Sequence, residues 1–162
     1  TLPIIMKKVL DSVKNVFDET TGLLGEGYQS ATALLKETLS NFYDVKNLTS
    51  EKLADMANDL IALSPIIEKT GFRTKEINVG VSIPPRIVFH FEKFADVSKD
   101  DIDAILKENE DKTLLKVIVT TLVAADDFQK KLTLGNFKFN EIDIEVGVPP
   151  EVNVKLVNAS AL

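Results

Sequence analysis

Apolar and polar positions follow two different periods along the chain and divide it into extended and helical stretches. At 72–91, Ile77, Val79, Val81 and Ile83 alternate with Asn78, Gly80 and Ser82; past Pro84-Pro85, Ile87, Phe89 and Phe91 alternate with Arg86, Val88 and His90. Period two predicts strands with one buried face. The same pattern returns at 137–156 without a gap, at an offset of 65: Phe72 falls on Phe137, Glu76 on Glu141, Ile77 on Ile142, and Pro84-Pro85 on Pro149-Pro150. The conservative pairs Val79 with Ile144, Ile87 with Val152, Phe89 with Val154 and Phe91 with Leu156 fall at alternating positions. A fixed offset of this kind predicts a duplicated unit. Proline lacks the N–H that a central ladder needs, so each Pro-Pro pair is read as the connection between two strands.

Each predicted hairpin is preceded by a helical period. At 50–69, Leu53, Met56, Ala57, Leu60, Ile61 and Leu63 form one broad stripe behind a cap at Thr49 or Ser50, with Pro65 expected to kink or end the helix. Its counterpart at 112–132 is apolar nearly all round, which predicts a central helix; its β-branched run is strand-like locally, but its length and lost alternation favour helix. A short helix is predicted from Ser98, whose following acids suit a first turn. Two amphipathic helices are read at 3–19 and 30–43, separated by glycines at 22–27.

The predicted fold class is α+β, with internally duplicated helix plus Pro-Pro β-hairpin units forming a four-stranded antiparallel sheet covered by helices on one face. Residues 1–162 read as a single domain: an N-terminal helical segment at 1–45, repeat unit 1 at 48–95 and repeat unit 2 at 98–158. Pseudo-twofold symmetry is expected.

Composition narrows the function classes. Hydrophobic residues at 44% and charged residues at 27% are those of a globular domain able to bury a core. A net charge of -6 with only Arg73 and Arg86 as arginines excludes a phosphate-binding surface of the nucleic-acid kind. Without cysteine there is no thiolate or disulfide, and with His90 as the sole histidine no multi-histidine zinc site can form. No catalytic residue, metal or cofactor is therefore expected. Asp96, Ser98, Asp100, Asp101 and Asp103 resemble a calcium loop in composition but lack its spacing, so helix capping is the reading. Asp126-Asp127 and the acids at 108–111 are read as solvated helix ends.

Leu114 to Ala125, interrupted by Lys116, falls short of the roughly 20 apolar residues that span a bilayer. The N-terminal helix, with Leu2, Ile4, Ile5 and Met6 beside Lys7 and Lys8, suits a membrane surface or a partner, but packing on its own sheet is favoured. The chain begins at Thr1, and localisation is left open.

Two functional readings lead. The first is a non-enzymatic binding or assembly module whose partner surface is the outward strand face, with Asn78, Ser82, Arg86, His90, Asn153 and Lys155; a protein partner or a homodimer through a free sheet edge fits it. The alternative is a carrier of an apolar small molecule or lipid, held between helices and sheet against Phe89, Phe91, Phe137 and Phe139. An enzyme working through carboxylates alone ranks third.

Overall fold

The structure, a computed structural model, describes residues 33, 35–37, 49–80, 86–146 and 151–161. Both Pro-Pro pairs, the glycines at 22–27, the helix at 3–19 with its membrane-surface reading, and most of the helix at 30–43 lie outside the described residues.

Helix α1 (Ser50–Lys69) begins where Thr49 accepts a hydrogen bond from the Lys52 N–H at 3.2 Å. Its stripe of Leu53, Met56, Leu60 and Ile67 is buried, and the helix runs on through Pro65 instead of ending there. At its C-terminus Gly71 takes φ +91°, and its carbonyl accepts from the Phe94 and Ala95 N–H groups at 2.9 and 3.3 Å. A Cβ at Gly71 would sit 2.4 Å from the Ala95 carbonyl oxygen, whereas at Gly135, φ +55°, nothing lies within 4 Å. Gly71→Ala is therefore expected to cost at least about 2 kcal/mol and Gly135→Ala about 1 kcal/mol. Thermal unfolding of the two variants side by side checks this, and equal losses would contradict it.

Strands β1 (Phe72–Gly80) and β2 (Arg86–Lys93) follow, then α2 (Lys99–Glu108), α3 (Thr113–Gln129), β3 (Phe137–Val146), β4 (Glu151–Asn158) and a 3-10 turn, Ala159–Ala161. Helix α2 is capped by Ser98, which accepts from the Asp101 N–H at 3.1 Å, and buries Ile102 and Leu106. Helix α3 is buried around most of its circumference, through Leu115, Val117, Ile118, Val119, Leu122 and Val123 among others. Its β-branched residues have the lower intrinsic helix propensity, and burial on several sides overrides it.

The four strands form one antiparallel sheet in the order β1-β2-β3-β4. Buried residues of all three helices cluster with Ile87, Phe89, Phe91, Ile142, Ile144, Val146 and Val152, so the described helices share one face of the sheet. Each of β1 and β3 carries a bulge, at Lys75 and at Asn140. The extra residue lets Phe139 and Ile142, which strict alternation would send to opposite faces, both pack on the inner face.

Adding 65 to both members of every β1–β2 pair, from Phe72↔Lys93 to Gly80↔Arg86, reproduces every β3–β4 pair, from Phe137↔Asn158 to Glu145↔Glu151, bulge included. In this strand order β1 and β3 run in the same direction, two places apart. The operation that carries one hairpin to the other is thus a step across the sheet, not the twofold rotation expected from the sequence, which would set β2 beside β4 or β1 beside β3.

Candidate functional site

Pairing of β2 with β3 through their inner apolar residues also fixes what meets on the outer face. His90 stands opposite Asp143 on one side and Glu76 on the other. Its Nδ1 lies 2.7 Å from Glu141 Oε2 and 2.7 Å from Asp143 Oδ1, while Asn78 Nδ2 lies 2.8 Å from Nε2. An Nδ1–H shared between two carboxylates, with Nε2 accepting from Asn78, matches the neutral imidazole. Full protonation of the ring requires the Asn78 amide to turn and offer its oxygen.

Glu141 is only 4% exposed although it belongs to the face away from the helices. Lys75 and Lys155 approach its Oε1 at 3.6 and 3.8 Å, and Asn140 donates to it at 3.2 Å. The hydrogen bond from Asp143, followed by that from His90 and by the neighbouring positive charges, holds the Glu141 carboxyl down to about 2 against the opposing effect of burial. Burial first, and then the Glu141 carboxylate, push Asp143 up to about 6, so the pair holds one proton between those limits. Burial opposes the imidazolium of His90, but hydrogen bonds to Asp143 and Glu141, with their charge, outweigh it and raise the pKa.

The signs give a pH profile. Asp143 binds its proton more tightly folded than unfolded, so its contribution to stability is lost as pH rises from the ordinary 3.8 through about 6. Glu141 acts oppositely, contributing above 4.5 and losing this as pH falls towards about 2. His90 contributes fully below 6.5 and loses this as pH rises through its raised value. Asp143→Asn is expected to remove the fall between pH 4 and 6, on the order of 2 kcal/mol in the parent chain. Urea unfolding at stepped pH reads the difference, and parallel profiles for parent and variant would refute the shared proton.

His90, Glu141 and Asp143 each offer a metal-ligating atom, and these atoms lie within 4.8 Å of one another. The donor set suits zinc. Two ammonium groups on Glu141 already balance the two carboxylates, however, so a divalent ion there would have to displace Lys75 and Lys155 or leave a positive excess.

The outward residues expected from the sequence fall around this cluster. Asn78 and His90 are in contact, Lys155 reaches Glu141, Asn153 stands opposite Asp143, and Arg86 pairs with Glu145 at 3.1 Å; Ser82 lies outside the described residues. The four phenylalanines differ in their surroundings. Phe89 and Phe91 stack in the core with ring centroids 6.4 Å apart, Phe139 is half-buried against that core, and Phe137 is 47% exposed. Glu141 and Asp143 were not singled out by the sequence reading.

A second polar cluster closes the other end of the inner face. Buried Asp126 accepts from Lys93 at 2.8 Å and from Gln129 at 3.0 Å, with Lys130 at 3.2 Å. Asp127 pairs with Lys99, and Lys93 also meets exposed Asp96 at 3.0 Å, beside a cleft of about 330 Å³. The pair expected to be a solvated helix end is thus tied to β2 and α2. Burial lowers the Lys93 pKa, but hydrogen bonds to Asp126 and Asp96 outweigh it and raise the value overall.

Among the described residues no helix is long and apolar enough to cross a membrane. Comparison with known proteins finds no matching family model, no matching curated protein and no matching solved structure.

Proposed function

We propose that the chain is a non-enzymatic binding and assembly module, built from two copies of one helix and Pro-Pro hairpin unit, that meets its partner through the outer face of the sheet. The observation carrying this reading is that outer face itself. The described helices pack on the opposite side, yet the outer side holds an ordered network in which Asn78, His90, Glu141 and Asp143 are fixed by contacts of 2.7–2.8 Å. Side chains held in place before binding lose little further freedom on contact, which favours recognition. The duplication is supported by the identical pairing and bulge of the two hairpins at an offset of 65 residues.

The test changes Asn78, Arg86, Asn153 and Lys155 together to alanine in the full chain, confirms folding by circular dichroism, and compares capture of an identified partner with that of the parent. Loss of capture supports the outer face as the contact; unchanged capture removes the basis of the proposal. The carrier reading has one observation of its own, an apolar cleft of about 390 Å³ between α1 and the end of β1, lined by Leu53, Ala57 and Val79. Native mass spectrometry after exposure to fatty acid tests it, with the bare chain mass as the negative result.

A further inference from the structure

The order β1-β2-β3-β4 leaves one side of β1 and one side of β4 without a strand partner among the described residues. At the offset of 65, β4 corresponds to β2 and β1 corresponds to β3. These two edges are therefore counterparts of the two sides of the β2–β3 joint, which the molecule already makes once. We infer that a second copy of this chain docks by laying its β1 antiparallel against β4, in the register that β3 takes on β2. This rests on the duplicated-unit reading proposed above.

Shifting Val88↔Glu145, Phe89↔Ile144, His90↔Asp143 and Phe91↔Ile142 by the repeat gives Asn153↔Gly80, Val154↔Val79, Lys155↔Asn78 and Leu156↔Ile77 between copies. On the inner face both new pairs are apolar. On the outer face Lys155, the counterpart of His90, comes beside Glu76, the counterpart of Glu141, so one of the two carboxylate contacts of His90 recurs, while the neutral Asn78 stands where Asp143 does. The bulges do not interfere: Asn140 lies beyond the paired part of β3, and Lys75 lies equally beyond the matching part of β1.

Burial supplies an independent argument. Val79 is 55% exposed, while its counterpart Ile144 is fully buried. The apolar cleft beside Val79 is lined by Leu53, Ala54 and Ala57, whose counterparts Ile118, Val119 and Leu122 are buried in the core that includes Phe89 and Phe91. Val154 and Leu156 of a docked copy correspond to Phe89 and Phe91 and enter the cleft as those two cover the second unit. Each copy uses a different edge at each joint, so the contact is head-to-tail and does not stop at two copies unless a ring closes.

The test uses the absence of cysteine in the chain. Val79→Cys and Val154→Cys are made separately, mixed and oxidised; the expected product is a disulfide-linked pair of the two variants, with neither variant linking to itself. Sedimentation velocity of the unsubstituted full chain is expected to show mass rising in whole-chain steps with concentration. Val79→Lys, at an exposed position, is expected to weaken this association at least about tenfold. It also decides the matter if Val154→Cys fails to fold. A chain that stays monomeric up to on the order of 1 mM overturns the docking and leaves the duplication standing on its register. Val79→Cys linking to itself shows like edges meeting, which overturns the repeat-derived register itself. Fatty acid bound in the cleft with no self-association assigns the cleft to a carrier and overturns the joint.

Discussion

Phe91→Ala is expected to cost about 3–5 kcal/mol, a large part of the stability of a domain this size. Phe91 is 2% exposed, stands opposite Thr74 on one side and Ile142 on the other, and stacks on Phe89 at an interplanar angle of 22°. Truncation removes the ring from water-free packing and opens a cavity between strands whose register is fixed on both sides, so the site can collapse only in part. Chemical denaturation gives the loss directly. Phe137→Ala, at a half-exposed position on the same face, serves as the contrast and is expected to cost about 1 kcal/mol. Comparable losses for both would mean that the inner face is not the dense core described.

Asp126→Ala comes second, with an expected loss of about 3 kcal/mol. The cost has little to do with the attraction of one ion pair in water. Asp126 and Lys93 have side chains only 7% and 18% exposed, so removing the carboxylate leaves an ammonium largely buried with only the exposed Asp96 beside it. Restoring apolar balance should recover much of the loss: Lys93→Met combined with Asp126→Leu is expected to be closer to the parent than Asp126→Ala alone. A double substitution as unstable as the single one would show that the site contributes through shape and not charge.

What the sequence made legible follows from which interactions are local. The bounds of α1, the Ser98 cap and the inner-face residues of β2 could be read because hydrogen-bonding caps and period-two burial leave marks within a few residues. Pro65 shows the limit, since a helix already held by its buried stripe continues past the position where a proline would end an isolated one. His90 was placed on the correct face by parity, yet its surroundings could not be foreseen. Glu141 and Asp143 reach it only because β3 pairs with β2, and that pairing is not written in the alternation of β3. Glu141, Asp143 and Glu145, which alternate with Ile142, Ile144 and Val146, were the available signal; without the register they look like ordinary solvent-facing positions.

The seam between β2 and β3 has a kinetic consequence. Partners within each hairpin are close along the chain, as Gly80 is to Arg86, but His90 and Asp143 are separated by 53 positions, and closing a loop of that length carries an entropic barrier the hairpins do not face. The two halves are expected to gain protection from hydrogen exchange before the seam does, and the His90 ring to take up its final resonance only in the slowest phase. A histidine that matures as early as the hairpins would place the seam in the nucleus instead. If it matures late, the imidazole becomes a built-in reporter of the moment at which two preformed halves become one molecule.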